Sequence, residues 1–302
     1  MTLFSLVFIA LLLADCALKY YLNTRQISAI NHSFQQVPSY FAQQISLNEH
    51  QKAGKYSLAK LNLGKVELIY SVILTLGFTI GGGIDKITQL TQFSNYPLGS
   101  EVGLIISYSI ISSILGMPLS YYSTFKIEQA FGFNKMTIGL FIKDIFKGLA
   151  VSLIIGIPLL YLVMWLMNSL GTTWWIWVWA VMVAFNLLIL SVYPTFIAPL
   201  FNKFTPLDDP ELKAKIETLL TKCGFKSQGV FVMDGSKRSS HGNAYFTGLG
   251  SSKRIVFFDT LLKQLNHEEI IAVLAHELGH FKHKHILKQM LISFGIMLIG
   301  LF

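Results

Sequence analysis

Cysteine is nearly missing from this chain: Cys16 and Cys223 are the two in 302 residues. One lies inside an apolar run and the other beside Gly224, so neither a disulfide framework nor a cysteine-built metal site follows. Charge is scarce as well. Charged residues make up 13% of the chain and apolar residues 53%, which excludes an ordinary pair of soluble domains and points to a membrane protein. The opening run MTLFSLVFIALLLADCAL has no Lys or Arg ahead of its apolar stretch, and Asp15 stands where lipoprotein cleavage before Cys16 would want a small residue. An uncleaved span is therefore expected, with Asp15 turned towards protein or water rather than lipid. Internal repeats and low-complexity tracts are lacking too. Basic and aromatic residues do not interleave along a stripe, so the net charge of +8 does not point to nucleic acid.

What the chain does have is long apolar runs. Crossing a bilayer core of ~30 Å takes ~20 helical residues, and runs of that order fall near 3–22, 66–84, 103–123, 149–168 and 174–198. The last opens with WWIWVW, whose Trp174, Trp175, Trp177 and Trp179 suit a membrane–water boundary. A sixth apolar stretch begins near Leu287 and is still apolar at Phe302, which reads as the start of a sixth span cut short. Connections one and three carry Arg25, Lys52, Lys55, Lys60 and Lys65, and Lys126, Lys135, Lys143 and Lys147. Connection two has only Lys86, and MNSLGT after the fourth run has no basic residue. The excess of Lys and Arg on one side predicts an outside N-terminus and places the long polar segment after the fifth span in the cytoplasm.

That segment, about 199–286, reads as a small α+β domain. Asp208-Asp209 before Pro210, a 3.6-residue apolar period and Gly224 predict a helix. GVFVMD, HGNAYFTGLG and KRIVFFD read as strands, with Asp259 a helix cap after the third. Asn266 with Glu269 forms a capping box that opens a helix through NHEEIIAVLAHELGHFKHKH.

Four of the eight histidines stand in LAHELGHFKHKH, and His276-Glu277-Leu278-Gly279-His280 fits H-E-x-x-H. Residues four apart share a helix face, so His276 and His280 can bind one Zn²⁺ at ~2.0–2.1 Å each. Glu277 points to the neighbouring side, where its carboxylate serves as general base towards a zinc-activated water and returns the proton to the leaving amine. The metzincin extension would need Gly and His where His283 and Ile286 stand, so that class is excluded. His283 lies about 10 Å along the axis from His276, too far to share the metal on a straight helix. It and His285 read as a cationic helix end. Glu268 and Glu269 sit on preceding turns, which leaves a third ligand to come from a later helix beyond Phe302.

The stretch SSHGNAYFTGLGSSKRIVFFDTLL (239–262) leading into HEEIIAVLAHELGHFKHKH, together with YPTFIAPLFNKFTPL (193–207) and the preceding spans, resembles the type I CAAX prenyl proteases. The resemblance implies a membrane α-helical fold, a multi-span helical barrel around a chamber, with a small cytoplasmic α+β zinc metalloprotease domain. The regions would be 1–198 for the spans, 199–286 for the catalytic domain and 287–302 for the start of the sixth span. It implies an integral membrane zinc endopeptidase with His276 and His280 as metal ligands, Glu277 as catalytic residue, and a Glu beyond residue 302 as third ligand to one Zn²⁺. Residues 1–302 alone would then hold an incomplete site. It assigns Asn243 and Ala244 to substrate binding, since a strand beside the metal can pair its backbone with an extended peptide. The partners would be a peptide or protein substrate, prenylated in the family, and the lipid bilayer. The location would be a multi-pass position in the cell inner membrane of a bacterium or the endoplasmic reticulum of a eukaryote. Two other functions compete: a heat-shock-type quality-control metalloprotease of the membrane, and a non-catalytic membrane protein.

Overall fold

The computed structural model describes residues 2–93, 96–225, 227–247 and 253–302, without the Phe281 side chain. The expected strand end Gly248-Leu249-Gly250 lies outside the described residues. The chain divides into two compact units, Met1–Asn134 and Lys135–Phe302.

The first unit is helical: α1 (Leu3–His32), α2 (Leu47–Phe78), α3 (Gly83–Leu90) and α4 (Pro97–Tyr122), the last continued by a π-helical turn, Ser123–Glu128. Local side chains set the starts. Thr2 Oγ1 accepts the Ser5 N–H at 3.2 Å, and Ser46 and Glu49 exchange the two bonds of a capping box at 3.3 and 2.9 Å. The apolar run near 66–84 does not continue as helix to its end. α2 stops at Phe78, and the chain turns at Gly82 with φ 72°, where a Cβ is disfavoured; a Cβ on Gly83 would come within 2.9 Å of Phe78 Cα. α1 and α2 pack side by side.

The second unit begins with α5 (Ile138–Ser169) and α6 (Trp174–Val192), which runs through a π-helical turn at Tyr193–Ile197 into α7 (Ala198–Phe201). Among the described residues, five helical segments are long and apolar enough to cross a membrane: Leu3–His32, Leu47–Phe78, Pro97–Glu128, Ile138–Ser169 and Gly171–Phe201. α1 has no buried residue, and Phe146 and Ile154 in α5 are 67% and 73% exposed. Such surface is stable only in an apolar solvent, which is what a bilayer supplies to a helix whose backbone groups are already paired.

A small sheet domain follows: β1 (Phe204–Pro206), α8 (Pro210–Lys222), β2 (Val230–Met233), β3 (Ala244–Thr247), β4 (Arg254–Phe258), α9 (Asp259–Gln264) and α10 (His267–Lys282), then α11 (His285–Leu301). Strand order is β1-β2-β4-β3, with β2 and β4 parallel and both outer strands antiparallel to their neighbours. β1 is absent from the sequence-based reading because three residues ending in Pro206 show no alternation; it pairs Phe204 with Met233. Ile255 and Phe257 share one face of β4 and pack against Leu212, Ile216 and Leu220 of α8 and Ile270, Leu274 and Leu278 of α10. Both helices present a buried stripe at i, i+4, i+8. Each such fully buried side chain contributes about 1.5–3 kcal/mol relative to exposure.

α6 and α11 pack together, with Trp179 Nε1–H donating to the Phe294 carbonyl at 2.9 Å and the Trp175 ring 5.2 Å from that of Phe302. These two tryptophans therefore join helices, while Trp177 stays 55% exposed. Arg238, in the loop after β2, is clamped by Asp144 of α5 through a bidentate pair at 2.8 and 3.1 Å, by Asn202 Oδ1 at 2.8 Å and by the Phe201 carbonyl at 2.6 Å.

Candidate metallopeptidase site

α10 is fixed at its start by side chains on both sides. Asn266 Oδ1 accepts the Glu269 N–H at 3.0 Å while the Glu269 carboxylate accepts the Asn266 N–H at 2.9 Å, the expected capping box. His267 Nε2 meets Asp209 at 3.0 Å, and Lys215 donates to Glu268 at 2.7 Å, tying α10 to α8. Asp209 also caps α8 by accepting the Leu212 N–H at 2.9 Å; that bond first, then His267, holds its carboxyl below the usual range.

With Ile270, Leu274 and Leu278 turned into the core, His276 and His280 are left on an exposed face and Glu277 is half-buried beside them. The two Nε2 atoms converge to 3.2 Å. Two bonds of ~2.05 Å to one Zn²⁺ would subtend an angle of about 103° at that separation, close to tetrahedral. The Glu277 carboxylate takes no hydrogen bond or ion pair among the described residues, so its lone pairs are available to a proton donor. Two nitrogens are not a complete site. Among the described residues no three His, Cys, Asp or Glu side chains are grouped to hold a metal.

Asn243 precedes and Ala244 opens β3, one of the two edge strands, which packs against α10. The loop before them is pinned onto α9. Thr260 Oγ1 donates to the His241 carbonyl at 2.8 Å, Gln264 Nε2 donates to the Ser240 carbonyl at 2.9 Å, and a Cβ on Gly242 would press on Leu261 and Gln264 at 3.0 Å. The Phe258 N–H donates to the Asn243 carbonyl at 2.9 Å. By antiparallel alternation, the main-chain groups of Ala244 and Phe246 then point away from β4, to the open side of the sheet. Asn243 Oδ1 itself accepts the Ala244 N–H at 2.9 Å. Ala244 is 8% exposed, its methyl in the core. Tyr245, on the other face of β3, is pushed up to about 12 by burial and then by Tyr193, so it stays protonated at neutral pH.

Asp259 does not cap α9. Its carboxylate accepts the Ser236 N–H at 2.8 Å and, through a very short bond, the Ser236 hydroxyl. Burial alone would push this acid up, yet the two Ser236 bonds, with the Lys263 charge and the Thr260 N–H, together outweigh burial and hold it below the usual carboxylate range. His285 also departs from the cationic-end reading. α10 ends at Lys282, Lys284 takes φ 54°, and His285 opens α11 with its Nδ1 2.9 Å from His280 Nδ1. On an uninterrupted helix a residue five positions on faces well away, so spacing alone does not bring the two together. His283 stacks on His285 at 5.6 Å.

An apolar groove of about 440 Å³ lies between α6 and α11, bordered by Ile189, Leu190, Phe294 and Met290, and it reaches Thr247 at the end of β3.

Membrane-length helices followed by an H-E-x-x-H helix braced against a small sheet define an integral membrane metallopeptidase. The family model for the CAAX prenyl protease N-terminal, five membrane helices, matches residues 26–203, and that for peptidase family M48 matches residues 206–302. The chain belongs to the CAAX prenyl protease family of M48 peptidases. It is 37% identical over 299 residues to CAAX prenyl protease 1 homolog of Dictyostelium discoideum, covering 96% of this chain and 69% of that one. With CAAX prenyl protease 1 of Saccharomyces cerevisiae the identity is 38% over 295 residues, covering 93% and 64%. The crystal structure of S. mikatae Ste24p superposes with a TM-score of 0.93 at 36% identity, covering 99% of this chain and 72% of that one. The chain thus spans about two thirds of the length of these relatives. The membership supports a multi-pass membrane protein and implies a metal.

Proposed function

We propose that this chain carries the spans and the metal-binding helix of a zinc endopeptidase that cuts peptide bonds near the C-terminus of prenylated proteins. The observation that carries this reading is the 3.2 Å convergence of His276 and His280 Nε2, with the adjacent Glu277 unpaired among the described residues. When bound, zinc polarises the scissile carbonyl and acidifies the attacking water. Glu277 accepts the proton of that water and returns it to the leaving amine. His276 and His280 are two ligands; in this reading the third is a Glu beyond Phe302, because a catalytic zinc site needs three protein ligands. The substrate lies extended along β3, pairing with the outward main-chain groups of Ala244 and Phe246 and displacing the Asn243 side chain from the Ala244 N–H it now covers. The groove ending at Thr247 is apolar and suits an isoprenoid tail attached to such a strand. Residues 1–198 supply the spans, 199–286 the catalytic domain and 287–302 the beginning of a sixth span, with the catalytic domain on the cytoplasmic side. The quality-control reading is not favoured, because the family match extends over the five-helix N-terminal region.

The test is hydrolysis of a farnesylated C-terminal peptide by the full-length gene product in detergent with Zn²⁺. Glu277→Gln is expected to lower kcat at least a hundredfold, in line with the usual weight of a general base. Unchanged turnover in that variant would sink the reading.

A further inference from the structure

Resting on that zinc reading, we propose that His285 is a positioning residue: its Nδ1 accepts the hydrogen bond of His280 Nδ1–H and thereby fixes the tautomer and ring angle that aim the His280 Nε2 lone pair at the metal. A neutral imidazole carries one N–H. If that proton sits on Nε2, His280 has no lone pair to offer beside His276; if it sits on Nδ1, it has. The 2.9 Å contact between the two Nδ1 atoms accommodates the second arrangement, with His285 carrying its own proton on Nε2. Among the described residues nothing else is bonded to His280 Nδ1, while its Nε2 is the atom turned towards His276. Metal-ligating histidines generally place the remote N–H on such an acceptor, and loss of the acceptor weakens metal binding.

The backbone is bent to make this contact. Lys284 is the one non-glycine residue with positive φ among the described residues, at 54°. The left-handed region is sterically disfavoured for a residue with a Cβ, and the turn Lys284 forms carries His285 back to His280. Stacking of His283 on His285, with ring planes 19° apart, steadies the second imidazole from its other side.

Zinc affinity of the full-length protein, measured by chelator competition in detergent, tests this with two substitutions. His285→Leu removes the acceptor. His285→Asn keeps one, since Asn Oδ1 sits about where imidazole Nδ1 does. The expected result is a 10–100-fold weaker zinc complex for Leu and a change within about threefold for Asn. The visible absorption of the Co²⁺-substituted protein is expected to shift in the Leu variant alone. Zinc binding by the Leu variant as tight as wild type, or equal losses in Leu and Asn, overturns the assignment. A wild type that binds no zinc overturns instead the reading of the site on which it rests. Thermal unfolding is followed alongside, and His285→Ala replaces the Leu variant if that one does not fold.

Discussion

Asp259 shows how one side chain's chemistry carries into a measurable pH dependence. Its folded-state carboxyl is held below the usual range despite partial burial, because Ser236 donates to both oxygens. A depressed carboxylate contributes stability that is present above the unfolded value near ~3.9 and is lost as pH falls through the lower folded value. Asp259→Asn is accordingly expected to melt earlier by roughly 1 kcal/mol equivalent at pH 7. The gap to wild type should close below about pH 4, as thermal unfolding in detergent would register; a gap constant with pH would contradict it. Removing Arg238 leaves Asp144 with neither of its two guanidinium bonds while both side chains are about four-fifths covered, at 20% and 18% exposure. Arg238→Ala is expected to destabilise by about 3 kcal/mol, the scale of an orphaned, largely buried charge. Residues of the first kind were partly readable beforehand. The capping bonds of Asp209 and of Asn266 with Glu269, and the approach of His276 to His280, each lie within one helical turn, so spacing sufficed. Arg238 with Asp144, Ser236 with Asp259, and His280 with His285 were not readable. The first two pairs are 94 and 23 positions apart, and the third needs a left-handed Lys284 that no glycine announces.

Among the elements, α10 depends on the sheet more than on its own propensity. Leu274 is 1% exposed and sits midway along the stripe that holds the histidines in place. Leu274→Ala should cost about 2–5 kcal/mol and weaken zinc binding with it, since the ring pair rides on that helix. The sheet was legible in its three apolar runs but not in β1, whose three residues acquire strand geometry from pairing with β2. α2 starts at Leu47 because Ser46 caps it there, well ahead of the apolar run that marks its membrane part. Filling the groove between α6 and α11 tests the substrate reading at this scale. Met290→Trp is expected to raise KM for a farnesylated peptide several-fold and leave KM for the unprenylated peptide unchanged; equal effects on both would remove the groove from substrate binding.

For the whole molecule, the charge asymmetry of the connections predicts which side each reaches. Cys223 follows α8 and is exposed, and Cys16 lies within α1. In sealed vesicles of a Cys16→Ser variant, an impermeant maleimide should label Cys223 only from the cytoplasmic side, and labelling from the opposite side would reverse the topology. No side chain of helix α1, which holds Cys16, is fully buried. Apolar cover that a core would supply in a soluble fold is therefore provided by lipid, which makes acyl-chain length a thermodynamic variable of folding, much as ligand concentration is for a receptor. Each ångström of thickness mismatch should shift stability by a fraction of a kcal/mol, so one sequence has as many melting temperatures as there are bilayers to dissolve it in.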